Sequence, residues 1–372
     1  MRLTFVLPNI EISGGNRATF ELSNELVLAG HQVTILYPTI PGRDGQNWWN
    51  IKKTAIQLIK GAMNCRKVMD WFPLKADLRR VSDFSDKELP EADYLIATWW
   101  CHAEIIMSAE RSKGDKIHFV RSLEYWGGPH DLVTKAYLLP IPKVTVSRSL
   151  QVELVNRFGI RPPLIIPDAV NSKQFYRLGE SKNYPTIGMM YRRQPLKRMI
   201  DGLVVMGKIA TDYPSTNFIL FGESILLRHI VLIKKIPNLK IFWLPSNDDL
   251  NRIYNMLDIF LFTSGNEEAF GMPPMEAMAC GCAVVSSDVG AISSYIEHGV
   301  NGLLYEAGNT EELYLNAKAL LDSCELLTAL SERAPIDVKS RTWQASAQIF
   351  SESLEKSNFK DLNYVVQNER SL

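Results

Sequence analysis

The residues best equipped for chemistry in this chain of 372 run Ser264-Gly265-Asn266-Glu267-Glu268-Ala269-Phe270-Gly271-Met272-Pro273-Pro274-Met275-Glu276. The stretch follows an apolar run read as a strand at 259–263 and opens a helix at about Pro273, where the missing N–H of proline is no loss. The free N–H groups around Phe270, Gly271 and Met272 then point out of the helix start and, with the helix dipole, make an anion site. Gly271 lets the backbone come close to a ligand. Carboxylates accept hydrogen bonds, so two of them beside an anion site suit a hydroxyl-rich ligand. Glu268 in the loop reaches one set of hydroxyls and Glu276, one turn into the helix, another. A nucleotide sugar offers two such sets, hexose and ribose, on either side of a diphosphate. The other reading of the same residues is structural: Glu276 complements the helix N-terminus, and Glu267 and Glu268 are solvated.

Two stretches of alternating strand and helix signals must position these residues. Residues 3–7 read as a buried strand, 12–16 as a glycine turn, 17–29 as a helix stopped by Gly30, and 33–37 as the next strand. Strand, Gly-rich turn, helix and strand in under 40 residues make a βαβ unit with a parallel, helix-covered sheet. Gly14-Gly15 sits at that first βα turn without the three spaced glycines of a dinucleotide fingerprint. Further strands are expected at 94–98, 117–120, 143–146 and 164–166, with a helix at 147–158 closed by Gly159. Polar residues cluster at 171–185, read as a linker, and the pattern restarts at 186. The expected organisation is an N-terminal Rossmann-like domain at 1–170, a second at 186–342, and a helix from 343 that crosses back to the first, with a frayed tail. The fold class is α/β with doubly wound parallel sheets, whose ligands sit at the carboxyl ends of the strands.

Composition excludes several classes. Lys and Arg total 41, as do Asp and Glu, and a neutral chain is not built to coat nucleic acid. The five cysteines include one close pair, Cys280 and Cys282, spaced for neither zinc nor a redox motif, so buried thiols in a reducing compartment are expected. No run approaches a membrane span and no signal-peptide core is present, so the expected location is cytoplasmic or peripheral to the inner face of a membrane. Residues 47–80 hold eight basic residues against Asp70 and Asp77, interleaved with Trp48, Trp49, Trp71 and Phe72. That composition suits anionic lipid headgroups, or a basic loop that packs on the protein or meets an acidic glycan. No strand is followed by an Asp-any-Asp signature and no His pair has metal spacing, so no metal is expected.

The Glu268 to Glu276 stretch, with Ala277 to Gly281, Val284-Val285, Gly290, Ile296-Glu297, Gly299, Gly302 and Leu303, resembles the Glu, seven residues, Glu signature of retaining glycosyltransferases of GT-B fold. This is the group 1, or family 4, class of bacterial polysaccharide type. The resemblance spans nearly the whole chain and is strongest over 186–305. It implies that Glu268 contacts the transferred sugar and Glu276 the ribose, with Ala269, Phe270, Gly271 and Met272 lining the donor. Arg192 and Lys197 match the family's pair that grips the diphosphate, although Tyr191 replaces the usual glycine and Arg193 follows. Fixed cations there stabilise the charge that gathers on a leaving diphosphate. Gly14 and Gly15 let backbone N–H groups approach the donor phosphate or sugar.

On the acceptor side the family's usual His is absent after Phe119-Val120, where Arg121-Ser122-Leu123-Glu124 follows as in some rhamnosyltransferases. Glu124 is therefore a candidate to hold a hydroxyl, and His102 a second one. The expected activity is transfer of a hexose, UDP-glucose being the first guess, to a saccharide or lipid-linked saccharide. Transferases using dTDP-rhamnose or GDP-mannose are the alternative donors. A retired glycan-binding protein is the alternative of another class, but Glu268, Glu276 and Lys197 are all kept. An NAD-dependent oxidoreductase needs an acidic residue after the second strand, where Tyr37-Pro38 stands.

Overall fold

The computed structural model describes residues 1–39, 71–179 and 185–356, which form two compact units. The first comprises 1–168 with 343–372, and the second 169–342. In the first, β1 (Arg2–Val6), β2 (Gln32–Pro38), β3 (Asp77–Val81), β4 (Tyr94–Ala97), β5 (Asp115–Val120), β6 (Lys143–Thr145) and β7 (Leu164–Ile165) make a parallel sheet in the order β3-β2-β1-β4-β5-β6-β7. Its connections carry α1 (Gly14–Leu28), α2 (Trp100–Met107), α3 (His130–Leu138) and α4 (Arg148–Phe158). The inner strands are continuous apolar runs because helices cover both faces; Leu95, Ile96 and Ala97 are fully buried. Ser13 caps α1 by accepting the Asn16 N–H at 3.2 Å, and Gly159 ends α4 in the left-handed conformation. Gly14 and Gly15 are thus the first residues of α1, which begins three residues earlier than the start at 17 read from the sequence.

The second unit repeats this logic with β8 (Thr186–Tyr191), β9 (Asn217–Gly222), β10 (Leu239–Trp243), β11 (Ile259–Phe262), β12 (Ala283–Ser287) and β13 (Leu303–Tyr305), ordered β10-β9-β8-β11-β12-β13. Its helices are α5 (Met199–Asp212), α6 (Ile230–Ile233), α7 (Asn247–Asn255), α8 (Met272–Ala279), α9 (Thr310–Asp322) and α10 (Cys324–Val338). The order makes β8 and β11 neighbours, so the loops leaving their carboxyl ends stand side by side.

The structure corrects two expectations. Residues 171–179 belong to the second unit: Gln174 Nε2 donates to the Asn247 carbonyl at 2.9 Å, and the Tyr176 and Leu178 N–H groups donate to Asn251 and Asn255 at 3.1 and 2.7 Å. Asn side chains of α7 satisfy a backbone that a polar composition alone reads as a linker. In the basic aromatic segment, residues 71–80 are built into the first unit. Trp71 and Phe72 stack about Phe20 at 5.6 and 5.5 Å, and Arg79 and Arg80 lie on strand β3. The rest of the segment proposed for membrane contact, 47–70, lies outside the described residues, as does the expected frayed tail. No helix among the described residues is long and apolar enough to cross a membrane.

The chain returns to the first unit in α11 (Trp343–Glu355). Phe350 is fully buried between Phe5 and Phe119, at 6.4 and 6.0 Å between ring centres. The Tyr94 hydroxyl donates to the Leu354 carbonyl at 2.8 Å, and Ser346 Oγ to the Pro167 carbonyl at 2.7 Å. The last helix is therefore part of the core of the unit built mainly from the first 168 residues. Phe350→Ala should lower stability by about 3–5 kcal/mol, the usual cost of emptying a buried aromatic site. A guanidinium unfolding curve checks this: an unchanged midpoint would mean that α11 docks without supporting the sheet.

Candidate functional site

Side chains from the β8–α5 and β11–α8 loops meet at the carboxyl end of the second sheet. Hydrogen bonds tie the loops together: Gly265 N–H donates to the Leu196 carbonyl at 2.6 Å and Thr263 Oγ1 to the Lys197 carbonyl at 2.9 Å. Ser287, at the end of β12, braces the second loop from the other side by donating to the Ser264 carbonyl at 2.8 Å. Held this way, Lys197 Nζ forms an ion pair with the Glu268 carboxylate. Ser264 Oγ donates to the same carboxylate at 2.6 Å, and the Gly271 N–H, at the start of α8, also bonds to it.

Burial works to raise the Glu268 pKa, but Lys197, Ser264 and the Gly271 N–H outweigh it and hold the carboxyl below its ordinary range. Glu268 is therefore an anion at neutral pH. Its side chain keeps 14% of its surface exposed, and that of Lys197 18%. The sequence expectation of an open anion site at the α8 start needs one correction: Glu268 takes the Gly271 N–H. A helix whose N-cap is glycine lacks a side-chain acceptor, and the nearest carboxylate supplies one.

Two glycines allow this turn. Gly271 has φ +88°, and a Cβ there would stand 2.4 Å from Ile292 Cδ1. Its carbonyl accepts the Tyr295 hydroxyl at 2.5 Å. Gly290, at φ +59°, lies so close behind the loop that a Cβ would come within 2.4 Å of the Glu268 carbonyl oxygen. Phe270 is buried and stacks on Tyr295 at 6.0 Å, while Ala269 and Met272 are half-buried beside it. The sequence pattern includes Gly290; Ser264, Ser287 and Tyr295 become legible only in the folded loop.

Arg192 lies at the end of β8 with its side chain 27% exposed, and Nη1 donates to Glu223 Oε1 at 3.1 Å. Arg193 turns to the β9 end instead: its Nε donates to the Ser224 carbonyl at 2.8 Å and Nη2 to the Ser224 hydroxyl. Glu276 is 3% exposed and accepts the Tyr254 hydroxyl at 3.0 Å. The unit thus gathers Arg192, Lys197, Glu268 and the first turn of α8 along one sheet edge, with Glu276 inside that helix.

The two acceptor-side candidates need correction. Glu124 is 2% exposed and its carboxylate accepts the Trp100 N–H, at the start of α2, at 2.8 Å. Burial pushes its pKa well up, against that hydrogen bond. His102 is fully buried within α2, its ring 4.9 Å from Phe84. Both side chains serve the interior of the first unit and present no surface to a hydroxyl there. Gly14 and Gly15 are exposed on the first turn of α1. What the sequence overlooked is Arg121, ion-paired with Asp168.

Residues 170–337 match the family model for glycosyl transferases group 1. The two sheets with their helices superpose on solved GT-B structures. Anabaena HepE in complex with UDP and glucose aligns over 96% of this chain and 100% of its own, with a TM-score of 0.70 at 14% identity. Sucrose-phosphate synthase from Thermosynechococcus elongatus aligns over 97% and 99%, with a TM-score of 0.72 at 15% identity. The fold is that of the GT-B structures, and the second unit carries the match to glycosyl transferases group 1. Among curated relatives, the N-acetyl-alpha-D-glucosaminyl L-malate synthase of Bacillus anthracis is 29% identical over 171 residues, 45% of this chain and 43% of its own length. The chain thus matches less than half the length of that relative.

The Lys197–Glu268 pair sets a pH dependence. Glu268 has its folded pKa below the ordinary 4.5, so the stability it contributes is full above that value and is lost as pH falls through the lower folded pKa. Melting temperatures of the wild type and Glu268→Gln should differ at neutral pH and converge in acid. A gap that persists unchanged below the carboxylate range would show that the amide disturbs the loop for other reasons.

Proposed function

We propose that the protein is a GT-B glycosyltransferase that moves a hexose from a nucleoside diphosphate sugar to a saccharide or lipid-linked saccharide, with retention at the anomeric carbon. The observation that carries the reading is the Lys197–Glu268 ion pair at the start of α8, formed from the same β8–α5 loop that holds Arg192. A leaving diphosphate needs fixed cations, and a bound sugar needs a charged acceptor for its hydroxyls. Adjacent strand ends supply both.

In this reading the second unit takes the donor. The diphosphate draws Lys197 from Glu268, Arg192 joins it, and the released Glu268 accepts hydrogen bonds from the sugar hydroxyls. Glu276, buried against the Tyr254 hydroxyl here, gives up that partner to meet the ribose. Arg192 and Lys197 meet the negative charge as the bond from sugar to phosphate breaks, the work a divalent ion does elsewhere, so the reaction runs without metal. The departing phosphate takes the acceptor hydroxyl's proton while the new bond forms on the same face. UDP-glucose is the first donor to try, because HepE binds UDP and glucose on the same fold. The first unit takes the acceptor, in the synthesis of a bacterial polysaccharide.

Thermal shift with UDP, GDP and dTDP, with and without EDTA, identifies the base. A ligand at a hundred times its Kd adds about 2.7 kcal/mol of stability. Lys197→Ala should cost about a hundredfold or more in kcat, the usual effect of removing one transition-state donor. Glu268→Ala should abolish transfer while nucleoside diphosphate affinity holds or rises, because Lys197 is then free for phosphate. Equal loss of transfer and affinity would remove Glu268 from the sugar-binding role.

A further inference from the structure

The first unit contains a guanidinium with one edge in use and one edge idle. Arg121 follows the last residue of β5, and its side chain is only 9% exposed. Nη1 is ion-paired with Asp168, and the guanidinium lies 4.4 Å from the centre of the Phe119 ring. Nε and Nη2 are buried and have no hydrogen-bond partner among the described residues. Those two nitrogens form the edge of arginine that grips a carboxylate or phosphate with two parallel hydrogen bonds. A buried donor pair left empty is costly, and native folds rarely keep one without a use.

The arginine stem runs beside the first turn of α1: a Cβ on Gly15 would stand 3.9 Å from Arg121 Cδ. Gly14 and Gly15 are exposed there, and the first N–H groups of a helix have no partner within it. The helix is fifteen residues long, so its dipole is developed. Asp168 fixes the guanidinium from one side, and the other edge stays buried without a partner among the described residues, so a ligand reaches it only when the surrounding side chains give way.

We propose that Arg121 is an oxyanion-binding residue of the first unit, its idle edge and the first turn of α1 together taking a phosphate group. The proposal rests on the transferase reading only for the source of that phosphate, which is either the donor diphosphate or a phosphate carried by a lipid-linked acceptor.

The test titrates the full chain with UDP, GDP, dTDP, pyrophosphate and farnesyl phosphate. It compares wild type, Arg121→Lys, and a double variant carrying Arg121→Met with Asp168→Asn. The double variant avoids leaving Asp168 buried without its cation. Affinity for at least one phosphate probe should fall tenfold or more in the double variant. Arg121→Lys should fall less, since an ammonium keeps the charge and loses the fork. Loss confined to the nucleotides and pyrophosphate assigns the edge to the donor; loss confined to farnesyl phosphate assigns it to the acceptor. Unchanged affinity for every probe that the wild type binds, with only a lower Tm, overturns the proposal and makes the pair structural. A wild type that binds pyrophosphate and no nucleotide sinks the transferase reading, while the Arg121 comparison still stands on pyrophosphate. A wild type that binds none of the probes overturns both.

Discussion

The second unit depends on one adjacency. Because β8 and β11 are hydrogen-bonded neighbours running the same way, an ammonium and a carboxylate 71 residues apart in sequence leave the same sheet edge together. Their attraction is strong because both side chains are mostly buried, and neither is left uncompensated before a ligand arrives. In the proposed reading a diphosphate displaces Glu268 from Lys197, so binding the leaving group and freeing the sugar's hydrogen-bond acceptor become one event. The glycines serve this adjacency: Gly271 gives the left-handed start of α8, and Gly290 lets the loop after β12 approach the Glu268 backbone.

Much of this was legible in the sequence for a definite reason. Fully buried parallel strands are short apolar runs, and helices between them announce their ends through Gly30 and Gly159, whereas the Ser13 cap was read as part of a turn. The candidate functional segments are local: the loop from Ser264 to Glu276 and the turn from Arg192 to Lys197 each sit between one strand and one helix. Their residue types could therefore be read together. Relations between distant segments were not legible. The Asn251 and Asn255 side chains that hold 176–178 are about 75 residues away, and nothing in a polar run tells a linker from a strap satisfied by another helix. The Arg121–Asp168 pair joins the ends of two segments of the first unit that no local pattern connects.

The two units also show that similar folds use their buried polar groups differently. In the second, charge is gathered at the loop ends of central strands. In the first, much of it is turned inward. Burial lowers the pKa of Lys143, which donates to the Leu139 and Ile141 carbonyls, to about 8, and that of His118, its neighbour on β5, to about 3. Desolvation keeps that histidine neutral, so it adds no charge to the sheet interior.

Glu124 and Glu268 make the contrast sharpest, because the same defect recruits both. Helix α2 has Trp99 at its N-cap and α8 has Gly271, and neither residue offers a side-chain acceptor to the first N–H groups. Each helix borrows a carboxylate from a loop: α2 takes Glu124 at Trp100, and α8 takes Glu268 at Gly271. The outcomes differ because only one has a cation beside it. Glu124 is sealed in, burial raises its pKa, and it is spent as a cap. Glu268 is paired with Lys197, keeps its charge and retains an exposed face. An acidic residue after a parallel strand is thus equally well placed to be a cap or a ligand-binding group. What decides is whether a neighbouring strand end brings a cation that a ligand can later draw away.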